Sequence, residues 1–368
     1  MARGANRLRA LAGAVANAVR RAQHAARPLD PGKILVLHEL LLGDTLMLAP
    51  LLAALRRRYP RADILVAAHP AYSSLFSEKP YGVRVLPFSE RQPNCLAALA
   101  SAKGCDIAIL PGENRLGVAA RAVGARWIVG FAGGKPAWRD RAVDELVPLP
   151  STPTALADMF MLLAGLPDGE AAQLRYEAGD WAAPAFSPFD KPAGPYAVLH
   201  VGAGSPLRLW EPKKWRSVAK ALAGQGLSVV WTSGRDETGL VSAIDPDSQY
   251  LSYAGRLDLP QLWHLIEGAR LAITLDTGIA HMAKLTRTPV AALFGPGSAI
   301  LFGKGRFWED GDFIEATIAD FPCRDQRHVF QRDIAWVRRC NRTLAECPRA
   351  RCMEAITSEQ VMAALQVE

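Results

Sequence analysis

The sequence predicts an α/β protein of two doubly wound domains facing each other across a cleft. Three observations carry that prediction. The chain has 368 residues, more than one ordinary core fills. Short apolar runs alternate with helical patterns in two separate series, and alternation of this kind implies parallel sheets with right-handed crossovers. Between the series, residues 181–195 hold four prolines and no clear period, which reads as a linker.

The first series opens with KILVLH at 33–38, a continuous apolar run of the kind found in buried parallel strands. Gly43-Asp44 follows, then a helical pattern over 45–58 that stops before Pro60. Residues 62–68, 105–110 and 127–131 read as further strands, and the Ala-rich stretch 96–103 as helix. The second series begins with a strand at 196–201, a helix at 215–222 and a strand at 227–232. It continues with a helix at 259–268, a strand at 271–275, a helix at 279–285 and a strand at 290–294. Thr357 and Gln360 have the spacing of a capping box, which starts a last helix there. The expected division is a basic leader (1–30), a first domain (31–180), the linker (181–195), a second domain (196–356) and a C-terminal helix (357–368).

A net charge of +7, from 43 basic and 36 acidic side chains, favours anionic partners without choosing among them. No apolar run reaches the length of a membrane span. The first 27 residues carry six arginines and no acid, with Leu8, Leu11, Val15 and Val19 at helical spacing. A basic amphipathic helix and a frayed leader both fit this composition. The expected location is cytoplasmic, with peripheral contact to the inner membrane. Cys95 and Cys105 read as isolated buried thiols. Cys323, Cys340, Cys347 and Cys352 crowd near the C-terminus without a C-x-x-C pair, so free thiols are expected there and no metal site.

Chemistry concentrates at three strand ends. The run 271–275 leads into Asp276-Thr277-Gly278 and a helix whose first turn carries His281. A helix N-terminus at a strand end suits a phosphate, Gly278 permits close approach, and Asp276 is placed to orient donors or bind sugar hydroxyls. A well-capped helix with a core histidine would look the same. The loop after the first strand of the second domain holds Gly202, Gly204 and Ser205, followed by Arg208. It lacks the third glycine of a dinucleotide fingerprint, and plain turn chemistry also explains it. In the first domain, Asp44 opens a helix, where a carboxylate is stabilising by itself. As a general base it would take a proton from an acceptor hydroxyl. His38 and Glu39 compete for that role, and spacing does not rank the three. Trp210, Trp215, Trp231 and Trp263 sit in apolar patterns and read as core. The arginines between 324 and 351 alternate with Asp325 and Asp333 and read as a solvated face.

In this order, the corners resemble the heptosyltransferase family, family nine of the glycosyltransferases. The resemblance rests on Gly43-Asp44 with Pro50-Leu-Leu-Ala-Ala-Leu-Arg56, then Arg208-x-Trp210-x-Pro212 and Gly234-Arg-Asp-Glu237. Gly255-Arg-Leu-Asp-Leu259, Asp276-Thr277-Gly278-x-x-His281 and Phe294-Gly295-Pro296 complete it. It implies two Rossmann-like domains in the GT-B architecture. It also implies an inverting transfer of heptose from ADP-heptose to a lipopolysaccharide-core acceptor, with no metal or other cofactor and no nucleic-acid partner. By the same resemblance Asp44 is the base, Arg208 contacts the diphosphate and Glu237 the nucleoside. Thr277, Gly278 and His281 form the phosphate side, with Asp276 near the donor sugar. The chain departs from the pattern at His38, Glu39, Leu40 and Leu41, where many members carry arginine and small hydroxyl residues. It also has an extra residue before Pro212. Two other readings compete: a sugar-nucleotide epimerase of the same architecture, and a basic membrane- or nucleic-acid-binding protein.

Overall fold

The structure is a computed structural model that describes residues 26–365. The basic leader falls outside the described residues except at its end. There Arg27 is structural: its guanidinium donates to Glu145 Oε1 (3.0 Å) and to the carbonyls of Leu163 and Ala164.

Two six-stranded parallel sheets form the frame. The first contains β1 (Lys33–Leu37), β2 (Asp63–Ala68), β3 (Arg84–Pro87), β4 (Ile107–Leu110), β5 (Trp127–Phe131) and β6 (Glu145–Val147), in the order β3-β2-β1-β4-β5-β6. The second contains β7 (Tyr196–His200), β8 (Ser228–Thr232), β9 (Leu251–Ser252), β10 (Leu271–Leu275), β11 (Val290–Phe294) and β12 (Phe313–Thr317), in the order β12-β11-β10-β7-β8-β9. Counted from each sheet's own first strand, the two topologies are the same. Strand order reverses beside β1 in one sheet and between β7 and β10 in the other. Such reversals open a crevice at the carboxyl ends of the strands, where ligands bind in doubly wound folds.

Alternate residues on each strand feed opposite layers. Leu35 and Leu37 join an outer layer with Leu65 and Ile128, while Leu199, Ile273 and Leu293 build the outer layer of the second sheet. Ile34 and Val36 face a continuous middle core that also takes in Val198, Ala272 and Ala292 of the second sheet. The two sheets thus share one apolar layer. The proline-rich stretch 181–195 contributes to it: Trp181 is buried, donates to the Leu75 carbonyl (3.0 Å) and packs on Phe76.

Two sequence expectations are corrected here. The helix expected over 45–58 is two helices, α1 (Leu42–Leu46) and α2 (Ala49–Arg58). Pro50 has no N–H to give the preceding turn, so it starts a new helix rather than continuing the old one. The Ala-rich stretch forms only a 3-10 turn at Ala97–Ala102. Elsewhere α3 (Pro212–Gly224), α4 (Leu259–Glu267) and α5 (Gly278–Leu285) stand where the periodicity puts them. The last helix, α6 (Ser358–Leu365), is capped as expected: Gln360 N donates to Thr357 Oγ1 (3.1 Å) and Thr357 N to Gln360 Oε1 (3.0 Å). The tryptophans are core: Trp210, Trp215 and Trp231 form an edge-to-face chain and Trp263 is buried. Among the described residues no helix is long and apolar enough to cross a membrane.

After β12 the chain crosses back to the first sheet. Residues 321–340 form a strap with a two-strand hairpin, His328–Val329 against Arg332–Asp333. Arg332, buried to 2% exposure, donates to the carbonyls of Gly112, Phe131 and Ala132, all in the first half of the chain. Trp336 Nε1 donates to the Pro150 carbonyl. These contacts correct the solvated-face reading for part of the arginine stretch. Arg327, Arg338, Arg349 and Arg351 are exposed, but Arg332 is not, and Arg324 donates to four acceptors around the end of β11.

Candidate active site

Three strand ends meet in one interdomain cleft, lined by Leu41, Gly43, Asp44, Met47, Arg208, Asp276, Thr277, Gly278 and His281. From the strap and its neighbourhood come Phe302, Val329, Phe330 and Arg339. The cleft is held by a close contact between the starts of α1 and α5. A Cβ on Gly278 would lie 2.8 Å from Leu42 Cγ and 3.0 Å from the Gly43 nitrogen. A Cβ on Gly43 would lie 2.9 Å from His281 Cδ2 and 3.3 Å from Gly278 Cα. Glycine is therefore required on both sides, and this contact brings Asp44 to the Asp276-Thr277-Gly278 corner.

The Asp276-Thr277-Gly278 corner is built as capping rules predict. Thr277 takes an extended backbone, and its hydroxyl accepts from Ile279 N (3.3 Å) at the start of α5. Arg208, in the turn after β7, donates through Nη1 to the Asp276 carbonyl (2.7 Å) and lies 3.9 Å from Asp276 Oδ2. Asp276 is buried and packs against Gly297, where any side chain would collide with Oδ2. The glycines of the turn after β11 thus make room for this carboxylate. Asp276 Oδ2 and His281 Nδ1 are both buried without a hydrogen-bond partner among the described residues. Burial, reinforced by Lys284, keeps His281 neutral. Burial also raises the Asp276 carboxyl above its ordinary range, against the pull of Arg208, Arg339 and Lys284.

The three groups that spacing could not rank have different surroundings. His38 is buried, accepts from Leu40 N through Nδ1 (3.2 Å) and is pushed down to about 3 by burial. Glu39 accepts from Ser89 Oγ and Glu90 N and is paired with Arg115 (2.9 Å). Burial works to raise its pKa, but Arg115 and these hydrogen bonds prevail and hold the carboxyl below the usual range. Only Asp44 of the three lines the cleft. Burial raises it to about 6, helped by Asp276 and opposed by Arg339 and Arg208.

The remaining expected positions lie beside the cleft. Glu237 is occupied with backbone: Oε1 accepts from Ala203 N (2.8 Å) and Oε2 from Gly234 N (3.0 Å). Gly202 sits against that carboxylate, and a side chain there would collide with it. Glu237 thereby shapes the loop that precedes Arg208. Gly204 is exposed with open space around it, and Ser205 is half-buried at the start of the Arg208 turn. His200 is a core histidine, bonded to Thr232 Oγ1 (3.0 Å) and lowered to about 4 by burial. Sequence reasoning missed Arg339 and Phe330 as cleft residues. Both lie in a stretch without periodicity, where only the course of the strap reveals them. The four C-terminal cysteines line a single pocket at the root of that strap. Among the described residues no group of three or more histidine, cysteine or acidic side chains is arranged to hold a metal ion.

Comparison with known proteins agrees with the fold. The family Glycosyltransferase family 9 (heptosyltransferase) matches residues 102–326. Lipopolysaccharide heptosyltransferase 3 of Escherichia coli is 26% identical over 307 residues, which covers 77% of this chain and 89% of that protein. Lipopolysaccharide heptosyltransferase 1 of Pseudomonas aeruginosa is 28% identical over 151 residues, 38% of this chain and 42% of that protein. Among solved structures, E. coli ADP-heptose lps heptosyltransferase II superposes with a TM-score of 0.67 at 18% identity, covering 90% of this chain and 97% of that one. E. coli heptosyltransferase WaaC, solved with ADP, superposes with a TM-score of 0.63 at 17% identity, covering 74% and 90%. At these identities the superpositions speak for the GT-B fold.

Proposed function

The chain belongs to glycosyltransferase family 9, the heptosyltransferases, and from that premise we propose that it moves a heptose from ADP-heptose onto a hydroxyl of a lipopolysaccharide-core or related glycan acceptor, with Asp44 as the base. The observation that carries this reading is the meeting of Asp44 with Arg208 and the start of α5 in one cleft. A transfer site needs these two halves, a proton acceptor on one wall and positive charge for a leaving phosphate on the other.

The transfer is one displacement with inversion. Asp44 removes the proton from the acceptor hydroxyl as its oxygen forms the new bond to the anomeric carbon. The bond from that carbon to the phosphate oxygen breaks, and the electron pair leaves with ADP. Arg208 and the N–H groups at the start of α5 meet the charge that develops on the diphosphate, the work a divalent cation does in other transferases. Asp276, buried and elevated in pKa, orients donor hydroxyls rather than the phosphates. The family places the chain among transferases, so the epimerase and the simple binding protein recede. The proposed place of action is the cytoplasmic side of the inner membrane, where an anionic glycolipid acceptor would be met.

Asp44→Asn tests the assignment. It is expected to lower kcat by about 10²- to 10⁴-fold, the usual range for a lost general base, while the ADP dissociation constant measured by calorimetry changes little. Retained turnover in this variant would remove Asp44 from the mechanism.

A further inference from the structure

The strap brings a second guanidinium into the cleft, and nothing among the described residues uses it. Arg339 lines the cleft with Asp44, Arg208 and Asp276, about half-buried. Its backbone is pinned on both strands of a bridge, Arg339 N to Gln326 O (3.1 Å) and Gln326 N to Arg339 O (2.9 Å). The next residue is fixed by Cys340 N to Pro296 O (2.8 Å). The guanidinium lies over the Phe302 ring, 5.6 Å from its centroid, and makes no hydrogen bond or close ion pair with a described residue. A guanidinium offers five N–H donors in a rigid fork. Arg208, by contrast, already spends one nitrogen on the Asp276 carbonyl.

The electrostatics point the same way. Burial and the neighbouring Arg208 make the charged form of Arg339 less favourable than usual, with Asp276 and Asp44 compensating in part. Two half-buried guanidiniums that repel each other are relieved by an anion with acceptor oxygens for both. A diphosphate is such an anion, and arginine forks suit phosphate oxygens.

We propose that Arg339 is the second diphosphate-binding arginine of this enzyme, facing Arg208 and delivered to the donor by the C-terminal strap. The proposal rests on the reading of the cleft as a nucleoside-diphosphate site. It extends the binding machinery to a segment beyond residue 326, where the family match ends. Arg332 acts only as a positioning residue, because its donors are committed to carbonyls of the first half of the chain. Arg339 has a second effect on Asp44. That carboxyl is faced by Arg339 from the strap, Arg208 from the turn after β7, Asp276 and His281 from the β10–α5 corner, and Tyr72 from the 3-10 segment Pro70–Phe76. Removing the Arg339 charge leaves Asp44 easier to protonate.

Calorimetry with ADP and with AMP on the full chain, its Arg339→Gln variant and its Arg339→Lys variant tests the proposal. The wild-type chain is expected to prefer ADP to AMP. Arg339→Gln is expected to weaken ADP about tenfold or more, the scale of a lost charge-assisted hydrogen bond, and to change AMP far less. Arg339→Lys, which keeps the charge but loses the fork, should fall between. The acid limb of kcat/KM should also move to higher pH in Arg339→Gln. Equal ADP affinity in wild type and Arg339→Gln overturns this inference and leaves the nucleotide site standing. Failure of the wild-type chain to bind ADP overturns the underlying reading and this inference with it.

Discussion

Asp44, Glu39 and His38 lie within seven positions of each other, and what separates them is their company. Glu39 is held by Arg115, His38 is sealed in the core, and Asp44 looks into the cleft with its pKa raised to about 6. A base with that pKa is ionised at neutral pH yet strong enough to take a hydroxyl proton in the transition state. The base works only when unprotonated, so activity is present above the folded pKa and lost below it. The rate at subsaturating substrate is expected to be level above pH 7 and to fall about tenfold per unit below pH 6. A profile flat down to pH 5 would place the base elsewhere. Residue type and order were enough to nominate Asp44, Arg208, Thr277, Gly278 and His281, since strand ends and glycine corners are local features. Spacing alone could not rank Asp44 above its rivals, a choice that the family resemblance made, because the contacts of Glu39 with Ser89 and Arg115 come from residues 50 and 76 positions away.

At the scale of elements, the site depends on two helix starts pressed together and on a strap. Gly278→Ala puts a methyl group 2.8 Å from Leu42 Cγ and 3.0 Å from the Gly43 backbone. Separating α1 from α5 should cost about 1–3 kcal/mol, the usual penalty for overpacking. It should also lower kcat more than ADP affinity, because Asp44 moves away from the Asp276-Thr277-Gly278 corner proposed to hold the donor. Unchanged melting temperature and kcat would show that the contact is dispensable. The strap makes a separate prediction. Arg332→Met leaves the carbonyls of Gly112, Phe131 and Ala132 without their charged donor, which should destabilise the fold by at least about 2 kcal/mol. The exposed neighbour Arg338→Gln should leave the melting temperature unchanged. Helices α3, α4 and α5 were legible because their 3.6-residue periods are uninterrupted, whereas the helix Thr238–Ile244 was not anticipated. The strap was not, since its arginines carry no period and the same composition describes a solvated face. The break at Pro50 was readable in principle, but the apolar run through Leu46 to Leu55 masked it.

For the whole molecule, the tandem doubly wound plan was visible in the alternation of strands and helices. Of the edge strands, β6 and β9 have only three and two residues, while β3 and β12 are not continuous apolar runs, with Arg84 in one and Glu315 in the other. The sequence also gives no sign that the sheets share one apolar layer, in which Ile34 and Val36 meet the same core as Val198 and Ala272. With that layer and the strap joining the halves, the protein should melt in a single cooperative transition by calorimetry. Two resolved transitions would mean that the halves fold independently. With the proposed base and leaving-group site on opposite walls, the donor should turn over only when an acceptor occupies the cleft. The most direct test is the rate of ADP release from ADP-heptose, measured with and without a heptose-deficient lipopolysaccharide-core acceptor. Release is expected to depend on the acceptor and to fall by about 10²- to 10⁴-fold in Asp44→Asn. Release at the same rate without acceptor, or no release from ADP-heptose with acceptor present, would contradict it.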